Sequence, residues 1–412
     1  MNKKVLIISY FFPPSNKIGG RRWGKFSKFF IHNNLDVQVL TSKNNDENGW
    51  ISDLKYLGNK VDQISFNYPY YLGVNPKSIK EKLMYKISLI WSKLNTKSNF
   101  YDKSVHGEKE LISKTIHYIE KGYKNIVVTV APFHLATHIS KIIPNYPDCN
   151  FIVDFRDPWI DNKTAYGYYS LTESRRQNER NSEERVVNLF NHVVTVNDSI
   201  TNQLRGKYFE SKAKFHTILN GFDFDDLVES STKNHLKDDK IRLIFSGTLY
   251  DKAEKYFDHL LNLMTDLKNS NKTFYDKIEI DVYGYSNYCS LNSHKNIRFN
   301  GFVSNEKVNS EIEKAHACLL FLTDDINYSF STKFCEYIAY EKPIIIFSNN
   351  GLTAKFVDEN KIGFSLNLST NCEYFLSVLF RIKNESDEFY SFFRKDDFDL
   401  RNISKKYLKL FK

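Results

Sequence analysis

Residues 329–347, SFSTKFCEYIAYEKPIIIF, contain the elements that decide the fold. The first half spaces its apolar residues as a helix does, with Phe334 and Tyr337 on one side and Ser and Thr residues where an N-cap belongs. Pro343 then precedes the β-branched run 344–346, which is too short for a helix and too apolar for an edge strand. The stretch therefore predicts a loop, a helix and a buried parallel strand.

The start of this predicted helix has the chemistry of an anion site. In an open α/β sheet, ligands bind beyond the carboxyl ends of the strands, where helix N-termini present unpaired N–H groups. Ser331, Thr332 and Lys333 lie at that point and would suit a diphosphate. Glu336, about one turn further, could accept hydrogen bonds from a ribose. The same pattern also fits an ordinary amphipathic helix whose Lys333 and Glu336 face water.

The stretch resembles the donor-nucleotide element of glycosyltransferase family 4 and related enzymes of the GT-B fold. Members often have Ser or Thr, Lys, two residues, Glu and Tyr, followed by Lys-Pro and an apolar strand. The resemblance implies an α/β protein with two Rossmann-like domains that face each other across a cleft, with Lys333 and Glu336 at the nucleotide-sugar. Many members carry a first Glu eight positions before the second, and here that position is Tyr328. The usual contact to the donor sugar is therefore unassigned.

The N-terminal region predicts the opening of a Rossmann unit. An apolar run ends at Pro13-Pro14 without a small-residue cleavage site, so it is interpreted as a first strand and not as a signal peptide. A loop with Gly19 and Gly20 follows, and then a helix rich in aromatic residues. In the resembling family the glycines lie against the phosphates and sugar of the donor. The alternative is a helix-start turn with solvated arginines at 21 and 22.

The segment DFRDPW follows another predicted strand, 151–154, and is the second strongest point of resemblance. Family 4 members that build bacterial surface polysaccharides combine it with an Ala-Pro-x-His strand end, which here finishes at His134. The resemblance implies that Asp157, with His134 nearby, meets the acceptor hydroxyl. Alternatively, Arg156 and its neighbouring carboxylates form a pair that only orders a turn. His138 lies one helical turn after His134, but the pattern shows no third ligand, so no metal is expected.

A second Rossmann-like series begins at residue 241. Its strand ends carry Gly247, a glycine at 284, and Gly301, which fits close approach of a ligand to the backbone. Thr248 stands where the resembling family usually has an arginine for the diphosphate, so Lys252 and Lys333 would supply the positive charge. The resemblance also implies that Gly301 and Phe302 contact the base.

The length of 412 residues suits two domains. We expect an N-terminal domain at 1–224, a polar linker at 225–240, a nucleotide-sugar domain at 241–385 and a C-terminal helix, 386–412, that returns to the first domain. The cysteines are odd in number, scattered and in no Cys-x-x-Cys pair, which favours a reducing compartment and argues against zinc and disulfides. They are Cys149, Cys289, Cys318, Cys335 and Cys372.

The net charge of +9 allows nucleic acid, an anionic membrane or phosphorylated small molecules as partners. Nucleic acid ranks last, since the lysines form no dense tract and no binding module is recognisable. Residues 76–99 place an apolar stripe between lysines, which is typical of a helix in a membrane interface. A helix packed on its own domain is the alternative. No run of 18 apolar residues exists, so no membrane span is expected.

Together with these patterns, the resemblance implies a glycosyltransferase that moves a sugar from a nucleotide-sugar, expected to be UDP-linked, to a glycan or lipid-linked acceptor of bacterial surface polysaccharide. The resemblance implies retention at the anomeric carbon, and the sequence offers no well-placed nucleophile, which favours front-face attack. The enzyme is expected in the cytoplasm, with a peripheral position on the inner face of the plasma membrane. The alternatives are a nucleotide-sugar epimerase of the same fold and a non-catalytic relative, which the residue at 328 favours.

Overall fold

The computed structural model describes residues 3–15, 18–43, 54–58, 60–162, 167–227, 239–284, 294–326, 328–385 and 388–412. The chain divides into two compact units, Met1–Leu219 with Ile403–Lys412, and Asn220–Asn402. Most of the predicted linker and Cys289 lie outside the described residues. The described cysteines, at 149, 318, 335 and 372, are free thiols.

The first unit is built on a parallel sheet with helices between its strands. Its strands are β1 (Lys4–Ser9), β2 (Asp36–Ser42), β3 (Val61–Ile64), β4 (Asn125–Val130), β5 (Asn150–Phe155), β6 (His192–Thr195) and β7 (Lys214–Thr217). Its helices are α1 (Ile18–His32), α2 (Ile79–Asn95), α3 (Glu108–Glu120), α4 (His134–Ser140), α5 (Glu173–Leu189) and α6 (Asp198–Lys207). The described strands form a seven-stranded sheet in the order β3-β2-β1-β4-β5-β6-β7. This order reverses direction beside β1, as in a doubly wound Rossmann sheet.

The second unit has the same kind of sheet. Its strands are β8 (Ile241–Ser246), β9 (Ile278–Tyr283), β10 (Ile297–Gly301), β11 (Ala317–Phe321), β12 (Ile344–Phe347) and β13 (Gly363–Leu366). Its helices are α7 (Glu254–Ser270), α8 (Lys272–Tyr275), α9 (Asn305–Lys314), α10 (Thr332–Ala339), α11 (Leu352–Glu359) and α12 (Cys372–Asn384). The described strands run parallel in the order β10-β9-β8-β11-β12-β13. The prediction of two Rossmann-like α/β domains is confirmed.

Residues 329–347 fold as their pattern predicts. Ser331 caps α10, and its Oγ accepts a hydrogen bond from the backbone N–H of Phe334 at 3.2 Å. The strand β12 pairs with β11 in parallel, with Cys318 opposite Ile344, and every residue of β12 is buried. The β-branched run is therefore a central strand, because only a strand covered on both faces can be apolar throughout.

The prediction that Gly19 and Gly20 form a loop before the first helix is wrong. Gly19 and Gly20 lie inside the first turn of α1 and not in a loop ahead of it. A Cβ on Gly20 would come within 2.8 Å of the backbone of Phe11. The pair of glycines thus allows the helix to start against the end of β1, where a side chain has no room.

The last helix, α13 (Leu400–Leu408), runs into the part of the chain that belongs to the first unit. Its Tyr407 is fully buried and contacts the rings of Trp23 at 5.2 Å and Phe26 at 5.0 Å between centroids. Phe411 contacts Phe30 in the same way, at 5.2 Å. The aromatic face of α1 is therefore completed by the C-terminal residues.

Charged side chains hold the other side of α1. Arg22 is buried, in contrast to the solvated arginines of the alternative interpretation, and its Nε lies 3.2 Å from Oδ2 of Asp154 within β5. Two further N–H groups of Arg22 donate to the carbonyl oxygens of Ile218 and Leu219, each at 2.7 Å. Burial lowers the pKa of Arg22, but the Asp154 carboxylate outweighs this, so the pKa is raised and the ion pair stays charged. The pair connects α1, β5 and the end of the first unit.

Two buried carboxylates on α5 hold the segment that follows β5. Glu179 Oε1 lies 2.9 Å from Nε2 of His134, and its Oε2 accepts from the indole N–H of Trp159 at 2.9 Å. Glu183, one turn later, accepts from the backbone N–H of Ile160 and from Lys207. Because these partners come from α4, α6 and the loop after β5, the two carboxylates fix the position of that loop.

Burial alone would lower the pKa of His134, but the adjacent Glu179 carboxylate raises it to about 9. Burial likewise opposes ionisation of Glu179, and His134 reverses this, so the pKa of Glu179 is lowered. The two side chains therefore form a charged pair at neutral pH.

We predict that Glu179→Gln lowers the free energy of unfolding by about 3 kcal/mol at pH 6, because a buried charge loses its partner. The stabilisation from His134 is complete below the unfolded pKa of about 6.5 and is lost as pH rises through about 9. The difference from wild type should therefore shrink between pH 6.5 and pH 9. Urea unfolding at pH 6, 7.5 and 9 measures it.

The matched control is Glu173→Gln, which alters an exposed glutamate in the first turn of the same helix. It should leave the urea midpoint unchanged at each pH. A Glu179→Gln difference that is the same at pH 6 and pH 9 would show that His134 is not held as the charged form.

Candidate functional site

The carboxyl edge of the second sheet gathers most of the residues that the sequence predicts to bind the donor. The strands β8, β9 and β10 end at or next to Gly247, Gly284 and Gly301. The carboxylates Asp324 and Asp325 follow shortly after the end of β11. The helix α10 starts at the same edge, after β11. Parallel strands bring their carboxyl ends together, so this edge is the place where a ligand of an α/β domain binds.

Lys333 and Glu336 contact each other in the first turn of α10. The Nζ of Lys333 lies 2.9 Å from Oε2 of Glu336, and both side chains are largely covered. Ser331 adds a capping hydroxyl, while the exposed N–H groups of the first turn carry the positive end of the helix dipole. The helix start thus combines one mobile cation, one carboxylate and several backbone donors.

The position of α10 is fixed from behind by Tyr337. Its side chain is fully buried, and its hydroxyl accepts from the backbone N–H of Ser246 at 3.1 Å, at the last residue of β8. Burial raises the pKa of Tyr337 well above its ordinary value, so the hydroxyl stays protonated. On the same helix Phe334 stacks on Phe330 at 5.1 Å between centroids. These contacts hold the first turn of α10 beside the residue that precedes Gly247.

The glycines at the strand ends are set against one another. Gly247, Gly284 and Gly301 all have positive φ, at +147°, +108° and +66°. A Cβ on Gly284 would overlap the carbonyl oxygen of Gly247, whereas one on Gly301 would meet open space. Gly284 is therefore required for packing of the two loops, and Gly247 and Gly301 for backbone conformation. The edge next to α10 consequently has bare backbone in place of side chains.

Lys252 and Phe302 lie at the same edge with exposed side chains. Nζ of Lys252 is 3.2 Å from Oδ2 of Asp325 and 61% of the lysine side chain is accessible. Burial opposes ionisation of Asp325, but hydrogen bonds from Thr323 and Lys252 lower its pKa. The Phe302 ring is 82% exposed, which is unusual for a residue of its size. An accessible lysine paired with Asp325 and an exposed aromatic ring thus lie at the same edge as the glycines.

Two carboxylates of this edge were not predicted as site residues. Asp324 accepts from Tyr256 and Asn349, and it pairs with Lys255, while Asp325 holds Lys252. They come shortly after the apolar strand β11, and this position in the sequence could have identified them as candidate site residues.

The carboxyl edge of the first sheet brings the remaining predicted residues together. The guanidinium of Arg156 occupies the space where a side chain at Gly19 would lie, and its Nη2 donates to the carbonyl oxygen of Ala131 at 3.0 Å. The start of α1 and the ends of β4 and β5 therefore meet at Arg156. Asp157 follows at the same edge and is partly exposed.

His134 is buried, so its location differs from that of a side chain that meets a substrate. Only 2% of it is exposed, and Nε2 is engaged by Glu179. The neighbouring His138 donates from Nε2 to the carbonyl oxygen of Ser104, 2.9 Å away. The start of α4 is also occupied, because Oδ2 of Asp102 accepts from the backbone N–H groups of Phe133 and His134.

The buried carboxylates of α5 were missed by sequence reasoning. Glu179 and Glu183 lie at i and i+4, and Val186 follows at i+7, so all three share the helix face that packs inward. The overall composition of this helix is strongly charged, which hides that face. The helical spacing of the two glutamates and the apolar residue could have predicted that the glutamates face the core.

Metal binding receives no support from side-chain clustering. Among the described residues, no group of three or more His, Cys, Asp or Glu side chains is arranged to hold a metal ion. Nor does any described helix have the length and apolarity needed to cross a membrane.

Comparison with known proteins identifies the second unit. Residues 240–375, about a third of the chain, match the family model of glycosyl transferases group 1. No curated protein sequence shows significant similarity to the chain.

Solved structures match over nearly the whole chain at low sequence identity. Sucrose-phosphate synthase from Thermosynechococcus elongatus has a TM-score of 0.63 at 12% identity, covering 99% of this chain and 98% of that one. The pneumococcal O-GlcNAc transferase GtfA in complex with UDP and GlcNAc has a TM-score of 0.57 at 12% identity, with coverage of 99% and 98%. A putative UDP-N-acetylglucosamine 2-epimerase from Listeria monocytogenes has a TM-score of 0.53 at 9% identity, with coverage of 99% and 95%.

These likenesses establish the fold, which hosts both transferases and an epimerase, and the family match establishes the activity class. The chain is a glycosyltransferase with two Rossmann-like domains of the GT-B type, and its residues 240–375 match the model of glycosyl transferases group 1.

Proposed function

We propose that this glycosyltransferase moves a sugar from a UDP-linked donor to a glycan or lipid-linked acceptor in the synthesis of a bacterial surface polysaccharide. The observation that carries the proposal is the first turn of α10, where Lys333, Glu336 and free backbone N–H groups lie at the carboxyl edge of the family-matched domain. A nucleotide diphosphate offers two negative phosphates and a ribose diol, which are groups that a lysine, helix N–H donors and a carboxylate can bind.

Donor binding would exchange the partners of two ion pairs. Lys333 would leave Glu336 for a phosphate oxygen, and Glu336 would then accept hydrogen bonds from the ribose hydroxyls. Lys252 would leave Asp325 in the same way. Each exchange replaces a single carboxylate by part of a diphosphate that carries two negative charges in total. The ligand-free pairs meanwhile keep both lysines close to the positions where they would act.

Bond cleavage places negative charge on the leaving diphosphate. Lys333, Lys252 and the N-terminus of α10 would stabilise that charge as it develops, which is the main means of catalysis open to these residues. A residue placed as a covalent nucleophile was not recognised, so we propose retention by front-face attack. A metal ion is not required, since lysines and backbone donors supply the positive charge.

The base and the acceptor would use the remaining residues. Phe302 offers an exposed ring for stacking, and Gly301 offers backbone in open space, so we assign them to the base. UDP is the proposed nucleotide because the pneumococcal relative of the same fold is in complex with UDP. Asp157 is proposed to accept a hydrogen bond from the acceptor hydroxyl. His134 would act indirectly, by helping to position Asp157, since Glu179 links it to the loop that carries Asp157.

The location follows from the acceptor class. Surface polysaccharides that are assembled on lipid carriers begin at the inner face of the plasma membrane, so we propose a cytoplasmic enzyme held peripherally there. Residues 76–99 are the segment proposed to contact that membrane.

A nucleotide-sugar epimerase is the second candidate, favoured by the epimerase among the structures with this fold. An epimerase needs no acceptor, whereas a transferase produces a new glycoside only when one is supplied. A binding protein without activity is the third, favoured by Tyr328 in place of a carboxylate.

We predict that Lys333→Ala lowers kcat by about a hundredfold, because the leaving diphosphate loses a positioned cation. Glu336→Ala should chiefly raise KM for the donor, because the ribose loses its acceptor. Steady-state release of the nucleotide measures both. Lys355→Ala, at an exposed lysine on α11 that pairs with Glu359, is the matched control and should behave as wild type. Wild-type turnover in both site variants would refute the donor assignment.

We predict that Asp157→Asn lowers the rate of transfer by about tenfold or more and leaves donor binding intact, because the carboxylate is proposed to contact the acceptor and not the donor. Thermal stabilisation by the donor and transfer to the acceptor are measured on the same preparation. Loss of donor stabilisation in this variant would move Asp157 to the donor site.

The experiment that tests the overall function is a panel of nucleotide-sugars in thermal unfolding, followed by product analysis with and without glycan acceptors. One UDP-sugar should raise the melting temperature, and its sugar should appear on an acceptor. An epimerised sugar formed from the donor alone would establish the second candidate. Binding without any product on any acceptor would establish the third.

A further inference from the structure

The helix α2 presents its apolar side to solvent. Six of its large apolar residues are 42% to 88% exposed, and they are Ile79, Leu83, Ile87, Ile90, Trp91 and Leu94, whereas Met84, Tyr85 and Leu89 are partly buried. Its buried residues are Ser88 and Ser92. The helix is thus inverted relative to an ordinary surface helix, which turns its apolar stripe toward the core.

The inversion is anchored by polar contacts. The hydroxyl of Ser92 donates to the carbonyl oxygen of Phe100 at 3.3 Å and contacts the ring of His106. Arg175, from α5, donates to the carbonyl oxygens of Lys93, Thr96 and Ser98 at 2.6 to 2.7 Å. The serine face and the C-terminal end of the helix are therefore held on the first unit, and the apolar stripe is left outside.

The stripe has the dimensions of a single lipid-facing surface. Helical geometry of about 100° per residue puts the six apolar residues within an arc of about 120°, on the opposite side from the two buried serines. From Ile79 to Leu94 the stripe is about 22 Å long, at 1.5 Å per residue. An exposed apolar surface of this size on one helix marks an interaction site.

The positive charges beside the stripe favour an anionic partner. Lys82, Lys86 and Lys93 are exposed and share one flank of the stripe, within about 40° of one another by the same geometry. The one acidic residue of α2, Glu81, is used in its capping box, where it accepts from the backbone N–H groups of Lys77 and Ser78. The flank therefore presents uncompensated positive charge.

Aromatic residues with polar groups complete the boundary. Trp91 lies at the edge of the stripe, and Tyr70, 68% exposed, belongs to the short turn Tyr70–Leu72 that packs beside α2. Tryptophan and tyrosine prefer the level between lipid headgroups and acyl chains. An apolar stripe, a row of lysines and an aromatic margin are the three features of a helix that lies in a membrane interface.

We propose that α2 is a membrane-docking helix that inserts its apolar stripe into the headgroup region of a bilayer containing anionic lipids. Lys82, Lys86 and Lys93 contact the lipid phosphates, and the serine face keeps the helix attached to the first unit. Because the anchor contacts are already made without lipid, the helix docks without refolding. The proposal is independent of the proposed catalytic residues.

The test is vesicle flotation of the full chain with vesicles of phosphatidylcholine containing about 30% phosphatidylglycerol. Wild type should bind these vesicles and bind pure phosphatidylcholine at least about tenfold more weakly, and about 0.5 M salt should weaken the anionic binding. Leu83→Glu combined with Ile87→Glu should reduce binding about tenfold or more. Lys82→Glu combined with Lys86→Glu should remove the preference for anionic vesicles.

The matched control is Phe380→Glu combined with Phe392→Glu, which changes two exposed apolar side chains of the second unit and should bind as wild type. All variants should keep the wild-type far-UV circular dichroism and urea midpoint, which shows that they are folded and separates this test from that of the catalytic proposal. Undiminished vesicle binding by the Leu83 and Ile87 variant would overturn the proposal. So would a wild-type protein that ignores vesicles and instead forms a dimer, by ultracentrifugation, that the same variant abolishes.

Discussion

The hydrogen bond from the backbone of Ser246 to the buried hydroxyl of Tyr337 is the contact on which the candidate donor site depends. It ties the middle of α10 to the last residue of β8, so the helix start and the glycine at 247 keep a fixed separation. The aromatic contacts of Phe334 secure the same helix from its other side. A helix dipole falls off within one turn, so an anion site at its tip works only if the tip is held in place.

The two units use charge in different ways. In the first unit the ion pairs are buried, as between Arg22 and Asp154 or His134 and Glu179, and they connect helices to the loop after β5. In the second unit the pairs of Lys333 and Lys252 lie at an edge and keep part of their surface exposed. Fully buried pairs resist exchange because each charge would be left without a partner, whereas an accessible lysine such as Lys252 can change partners at little cost. The first arrangement suits a scaffold and the second suits binding of an anionic ligand.

The fold was largely predictable from the sequence, because central strands such as β4 and β12 are mostly apolar and helices such as α2, α6 and α10 carry capping residues. The run 344–346 shows this directly, since a β-branched segment of that length is typical of a central strand. The start of α1 was misjudged, because Gly19 and Gly20 suggested a loop by their flexibility, whereas packing against Phe11 was the reason for them.

The site was less predictable, because burial is a property of the whole fold. His134 follows a strand end, as a reactive residue would, yet a glutamate 45 positions later covers it. The stripe of α2 was visible in the sequence, but which side faced the protein was not, because two serines on the opposite face gave no apolar signal. Lys333 and Glu336 were identified from their spacing, and their mutual ion pair could be found only from coordinates.

A crystal structure with UDP bound tests the central claim most directly. The account predicts that a phosphate oxygen lies within about 3.2 Å of Nζ of Lys333, that Lys333 no longer contacts Glu336, and that the Glu336 carboxylate accepts from the ribose. A nucleotide bound away from the first turn of α10, with the Lys333–Glu336 pair intact, would contradict it.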